Sequence, residues 1–232
     1  MSLTHQPTGS SDADRDLPRR LWRQLLLRSS VQVGGTALVI GTQPLTAAER
    51  LCEFGLDVLA LCHDPAAVMT GRLRCPAAEF QPFDPTRAWG LSAQAYDLAL
   101  VLDTEPCPAN LLSREARLVT ASVLSALKPG GRLLWRHESR PEAPHHSGCW
   151  FRHLACFPGE IDVQSVSVPW WPLSAWHPVR RRETTLVEFT IPAAAVSPAE
   201  WRHCVDTGLL TDRRSCCAGA VESAIECRVR AA

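Results

Sequence analysis

Apolar and polar positions fall into blocks whose period changes along the chain. The run "TALVIG" at 36–41 is apolar throughout, as a strand covered on both faces requires. "LTAAERLCEFG" at 45–55 follows with helical spacing; Thr46 is placed to cap it and Gly55 to stop it. "LDVLALC" at 56–62 predicts a second buried strand. "DPAAVMTGRL" predicts a short helix with Asp64 as N-cap and Pro65 at its first position. Residues 72–95 are Pro-rich and weakly patterned, with one short strand expected near 77–80. "AYDLALVLD" at 95–103 is a strong strand pattern, and "SREARLVTASVLSALKPGG" at 113–131 reads as a helix with Ser113 as cap and a Gly pair beyond its last turn.

"GRLLWRH" at 131–137 predicts the next strand. "HHSGCWFRHLACFPG" is compatible with a further helix, and "IDVQSVSVPWW" and "ETTLVEFTIP" alternate as edge or antiparallel strands do. A last helix is expected from "SPAEWRHCVDTGLL". Ahead of all this, "LPRRLWRQLLLRSSVQV" places Leu21, Trp22, Leu25, Leu26 and Leu27 on an amphipathic helix.

Strands alternating with helices imply an α/β fold: a mostly parallel sheet, helices on both faces and right-handed crossovers. Residues 1–16 are polar and predict a disordered tail; 17–215 are expected to form one domain, with 216–232 as a C-terminal tail. No internal repeat and no second core pattern is visible.

Composition narrows the function classes. With 24 basic and 24 acidic residues the formal charge is zero, which gives no electrostatic case for bulk nucleic-acid or anionic-membrane binding. Ten cysteines are irregularly spaced and form no CxxC pair, so no zinc ribbon or thioredoxin-type motif is indicated. No apolar run reaches the roughly 18 residues that span a bilayer. The N-terminal stretch "MSLTHQPTGSSDADRD" has no apolar leader segment. The expected setting is a reducing cytoplasm, with mostly free thiols.

Three stretches carry a family resemblance: "ALVIGTQPLTAAERLCEFGLDVLALCHDP", "AYDLALVLDTEP" and "VLSALKPGGRLLW". They stand where class I S-adenosylmethionine-dependent methyltransferases have the first glycine motif and second strand, the "FDLV" strand, and the "LKPGG" turn with the fifth strand. The chain resembles that family over about residues 20–191. The resemblance implies a three-layer Rossmann-like sandwich whose mostly parallel seven-stranded sheet has an antiparallel last strand. It also implies S-adenosylmethionine as cofactor and methyl transfer as the reaction.

The family's acid-x-Gly-x-Gly-x-Gly pattern falls on Val39, Gly41, Gln43 and Leu45, so one glycine of three is present. The acid expected after the second strand falls on Cys62, with Asp64 two residues on. The cofactor-binding positions implied are Gly41, Thr42, Gln43, Asp64, Asp84 and Asp103. For Asp64 the alternatives are a hydrogen bond to the ribose or a cap on the next helix. Asp84 is a candidate for the adenine end or starts a turn before Pro85. Pro44 removes an N–H donor from the turn, and Leu45 adds bulk where the family leaves room. The retained fold with altered ligand positions leaves two readings: an enzyme acting on a small-molecule acceptor, or a non-catalytic methyltransferase-like binding or scaffold protein that has lost its cofactor.

His137 follows the fifth strand, where a base is able to deprotonate an acceptor. "VPWWPLSAWHPVRRR" gathers Trp170, Trp171, Trp176 and Arg180 as substrate candidates, since aromatics beside Arg clamp planar or anionic molecules. The same segment, 168–182, suits a protein partner or simple packing over the sheet edge. His145, Cys149 and His153 share helical spacing, but no second ligand pair accompanies them, and no metal site is expected.

Overall fold

The computed structural model describes residues 22, 26, 31–42, 44–84, 90–102, 114–138, 159–169 and 181–210. They build a seven-stranded sheet from β1 (Thr36–Gly41), β2 (Asp57–Cys62), β3 (Ala78–Pro82), β4 (Tyr96–Val101), β5 (Leu127–Glu138), β6 (Glu160–Pro169) and β7 (Arg181–Thr190). The spatial order is β3-β2-β1-β4-β5-β7-β6. β1 to β5 pair in parallel, while β7 runs antiparallel to both β5 and β6. The four described helices are α1 (Leu45–Glu53), α2 (Pro65–Arg74), α3 (Arg114–Ala126) and α4 (Pro198–Leu210).

The fully apolar strands are central because both their faces are covered. One face holds Leu38, Ile40, Ala99, Leu133 and Trp135 under residues of α3 and α4, among them Val119, Leu124, Trp201 and Val205. The opposite face holds Val39, Ala60, Leu98 and Leu134 under Ala48 and Leu51 of α1, Val68 of α2, and Trp22 and Leu26. The i, i+4 spacing of Trp22 and Leu26 thus places both indole and isobutyl groups in one core, as the amphipathic pattern predicts. Each such side chain contributes roughly 1.5–3 kcal/mol on burial.

Local chemistry sets the element ends. Asp64 caps α2, its Oδ1 accepting from the Ala66 N–H at 2.9 Å, with Pro65 at the first helical position. Gly55 takes a positive φ of 85° after α1, and the Leu56 N–H reaches back to the Leu51 carbonyl at 3.1 Å, closing the helix end. α4 begins with a reciprocal pair: the Ser197 N–H donates to Glu200 at 2.7 Å, and the Glu200 N–H donates to the Ser197 hydroxyl at 3.2 Å. Thr46 does not cap α1; the N-cap is Pro44, with no side-chain hydrogen bond. The helix starts earlier than Thr46 because Leu45 already lies on the core side and Pro44 has a φ of −78°, close to helical.

The outer strand β3 presents a bare edge in principle. Arg72 from α2 covers part of it, donating through Nε and Nη2 to the Phe80 carbonyl at 3.0 and 2.8 Å. α2 approaches so closely that a Cβ on Gly71 would collide with the Phe80 ring. At the far side of the sheet, Arg132 of β5 pairs with the nearly buried Glu188 of β7, which joins the parallel and antiparallel parts.

At the amino edge of the strands, Asp97 accepts from the Thr36 N–H and from Lys128 Nζ, each at 2.8 Å. The Thr36 hydroxyl has one proton, and its 2.6 Å contact with the Ala95 carbonyl takes it. Burial pushes the Asp97 carboxyl up, but the Lys128 and Thr36 hydrogen bonds outweigh it and hold the group below its ordinary value. Next to it, a Cβ on Gly131 would lie 2.8 Å from the Lys128 carbonyl and 3.2 Å from that of Asp97, so only glycine fits.

Candidate functional site

The strand order reverses between β1 and β4, because β2 lies to one side of β1 and β4 to the other. In open α/β sheets a crevice forms at the carboxyl ends of the strands beside such a switch. Here its floor is the end of β1 and the end of β4. The Leu102 N–H donates to the Ile40 carbonyl at 3.1 Å, so the chain leaving β4 stays against β1 for one residue beyond the strand.

From β1 the chain passes Gly41 and Thr42, both at least half-buried, and enters α1 through Pro44. The Pro44 carbonyl accepts from the Ala48 N–H at 2.9 Å. With no side-chain cap at this end, the first-turn amides of α1 point their positive partial charge toward the crevice. Leu45 is half-buried and packs toward the α1–α2 core.

β2 forms the neighbouring wall, with Cys62 in register with Gly41. Cys62 is fully buried, and its thiol is pushed up to about 11 by burial first and by the Asp64 charge second. At neutral pH it is therefore an uncharged thiol, a weak hydrogen-bond group rather than a carboxylate acceptor. Asp64 directs Oδ1 to the Ala66 amide.

One connection was not visible in the sequence. The Nδ1 of His63 lies 3.2 Å from the Phe83 carbonyl, to which its N–H tautomer donates, and the Phe83 N–H donates to the Cys62 carbonyl at 2.8 Å. These bonds tie the end of β2 to the segment after β3 and bring the half-buried Asp84 to the same edge. The only signal was that His63 follows directly on β2; its partner is 20 residues away.

The remaining candidates divide. His137 lies in β5 opposite Thr185 of β7, and its side chain is outside the described residues. Gln43, Asp103, Trp170, Trp171, Trp176 and Arg180 are also outside them, as are His145, Cys149 and His153. Among the described residues no group of three His, Cys, Asp or Glu side chains is arranged to hold a metal ion, and no helix is long and apolar enough to cross a membrane.

Similarity to solved structures is extensive. A S-adenosylmethionine-dependent methyltransferase from Methanosarcina mazei superposes with a TM-score of 0.59 at 12% identity, over 77% of this chain and 100% of that one. The chain has the class I methyltransferase fold. A TehB-like methyltransferase from Corynebacterium glutamicum matches at TM-score 0.54 and 18% identity, over 74% of this chain and 95% of that one. The cyclase SpnF matches at TM-score 0.56 and 16% identity, over 75% and 82% of the two chains. No family model matches the sequence, and no curated protein does either. Since a methyltransferase and a cyclase both carry this fold, the reaction has to be argued from the site.

Proposed function

We propose that this protein binds S-adenosylmethionine at the carboxyl edge of β1 and transfers its methyl group to a small-molecule acceptor. The observation that carries the proposal is the likeness in fold to solved methyltransferases over about three quarters of the chain, 77% and 74% in the two named. A second feature supports it locally: the uncapped start of α1, directly above Gly41.

The groups present fit one end of such a ligand better than the other. The α1 amides, with the backbone of Gly41, Thr42 and Gln43, suit the methionine carboxylate. Asp64 has its Oδ2 as the acceptor toward a ribose hydroxyl while Oδ1 caps α2, and Asp84 and Asp103 are the candidates nearer the nucleoside. When bound, S-adenosylmethionine supplies an electrophilic methyl group on a sulfonium centre. The protein's own part is to hold the acceptor in line with that group, which lowers the entropic barrier. Trp170, Trp171, Trp176 and Arg180 would cover the acceptor and exclude water, and His137 would take its proton at nitrogen. A cytoplasmic setting suits the free thiols of Cys52, Cys62 and Cys75.

Cys62 favours a second reading. Where a carboxylate would accept from both ribose hydroxyls, the chain has a buried, protonated thiol. On that reading the protein is a methyltransferase-like scaffold whose segment 168–182 meets a protein partner. Titration calorimetry of the full chain with S-adenosylmethionine and S-adenosylhomocysteine separates the two. Saturable heat in the micromolar range is expected. Absence of heat at high micromolar ligand, from protein with an intact cooperative melt, would leave only the scaffold.

A further inference from the structure

β3 is the outermost strand on its side of the sheet and pairs with β2 alone. Its last residue, Pro82, is in register with Cys62. The chain therefore leaves the sheet here with a strand neighbour on one side only. The next residue is held by hydrogen bonds at both its backbone groups. The Phe83 N–H donates to the Cys62 carbonyl at 2.8 Å, which carries the β2–β3 ladder one residue past the strand. The Phe83 carbonyl meets His63 Nδ1 at 3.2 Å. A carbonyl offers only lone pairs, so Nδ1 is a protonated ring nitrogen and the donor. The Phe83 side chain is buried in the core face that also holds Ile40 and Leu61.

The buried ring and the bonded amide locate Phe83 itself. The His63 bond fixes something further. The Phe83 carbonyl lies in the same planar peptide unit as the Asp84 nitrogen, so holding that oxygen sets the direction in which the chain departs. His63 is exposed and stands between Cys62, the end of β2, and Asp64, the cap of α2. Its ring joins two stretches 20 residues apart in the chain. It thereby sets the separation of Asp64 from the half-buried Asp84.

We infer that His63 is a positioning residue for the nucleoside end of the ligand: through the Phe83 carbonyl it holds the Asp84 segment at the separation from Asp64 that an adenosine group needs. The inference rests on the reading that the crevice binds S-adenosylmethionine. In this role His63 acts through the backbone and does not touch the ligand. A side chain without the N–H leaves the peptide unit after Phe83 to be ordered by the ligand itself, and that ordering lowers affinity by about tenfold. The fold depends on the same bond much less. One hydrogen bond at an exposed side chain adds little to stability, so its loss should lower the melting temperature by about 3 °C at most.

The test compares wild type, His63→Ala and His63→Asn as full chains. The Asn side chain keeps an N–H donor where Nδ1 stands. Calorimetry uses S-adenosylhomocysteine and methylthioadenosine, which share the adenosine and differ in the amino-acid part. His63→Ala should bind both about tenfold more weakly, and His63→Asn should recover most of that loss. Without ligand, hydrogen exchange at the Phe83 amide should run about fivefold faster in the Ala variant. Equal affinities in wild type and Ala, an Asn variant as weak as Ala, a loss confined to S-adenosylhomocysteine, or unchanged Phe83 exchange would each overturn the assignment while leaving the crevice a ligand site. Absence of heat from wild-type protein with either ligand would instead remove cofactor binding, and the role of His63 with it.

Discussion

The two edges of the same sheet differ in how closely they follow the methyltransferase pattern. At the amino edge, Asp97 from "YDLALV" and Lys128 from "LKPGG" meet at 2.8 Å, with the Thr36 amide completing the carboxylate's shell. Gly131 packs against three backbone carbonyls beside them. At the carboxyl edge, Gly41 is followed by Gln43, Pro44 and Leu45, and Cys62 occupies the wall opposite. The two family-like motifs that pair through Asp97 and Lys128 therefore do their work where strands begin, not where ligands bind. They are evidence about folding, and evidence about a cofactor has to come from the other edge.

That contrast is open to direct attack. The largest effect is expected at Gly131. A Cβ there meets backbone, which cannot rotate away, so Gly131→Ala should destabilise the protein by about 3 kcal/mol in denaturant melts. An unchanged midpoint would mean the amino edge is more plastic than its packing implies.

Asp97→Asn comes next, with an expected loss of about 2 kcal/mol, since it weakens a charged hydrogen bond and a half-exposed ion pair. Its pH signature is specific. The folded carboxyl lies below its ordinary value, so the native state holds fewer protons in acid than the unfolded chain. The stability it adds is complete at neutral pH and is lost as pH falls through about 4 and below. The Asn variant should flatten that part of the stability profile. Ligand heats should be unaffected, because the residue is at the wrong edge.

At the carboxyl edge the informative change is Gln43→Gly with Leu45→Gly. If the turn hinders the methionine end, S-adenosylmethionine should bind about tenfold more tightly, a gain of about 1.4 kcal/mol. Unchanged or weaker binding would put the obstruction elsewhere, with Cys62 the next candidate. The smallest effect is expected from Asp64→Ala: loss of the α2 cap, about 1 kcal/mol. A tenfold fall in nucleoside affinity with little change in melting would instead make Asp64 a ligand residue.

The order of elements was legible because each strand and helix advertises its own period. "TALVIG" and "LDVLALC" could be read as buried strands without knowing their neighbours. Asp64-Pro65 could be read as a helix start, and the short strand after Cys75 was recoverable even from a Pro-rich stretch. Thr46 misled because a capping side chain suggests a start, whereas burial of Leu45 moved the start forward to Pro44.

The site was less legible for a physical reason. Its parts come from the ends of separate strands, and their relations are set by register rather than by spacing along the chain. The sequence by itself determined the alternation of strand and helix, the two-sided burial of β1, β2 and β4, and the absence of an acid at position 62. Only the tertiary structure decided that Cys62 lies in register with Gly41, that His63 reaches the Phe83 carbonyl, and that Asp97 and Lys128 meet. Local propensity acts within a few residues, but these contacts depend on which strand lies beside which, and that is settled only when the two cores close over the sheet.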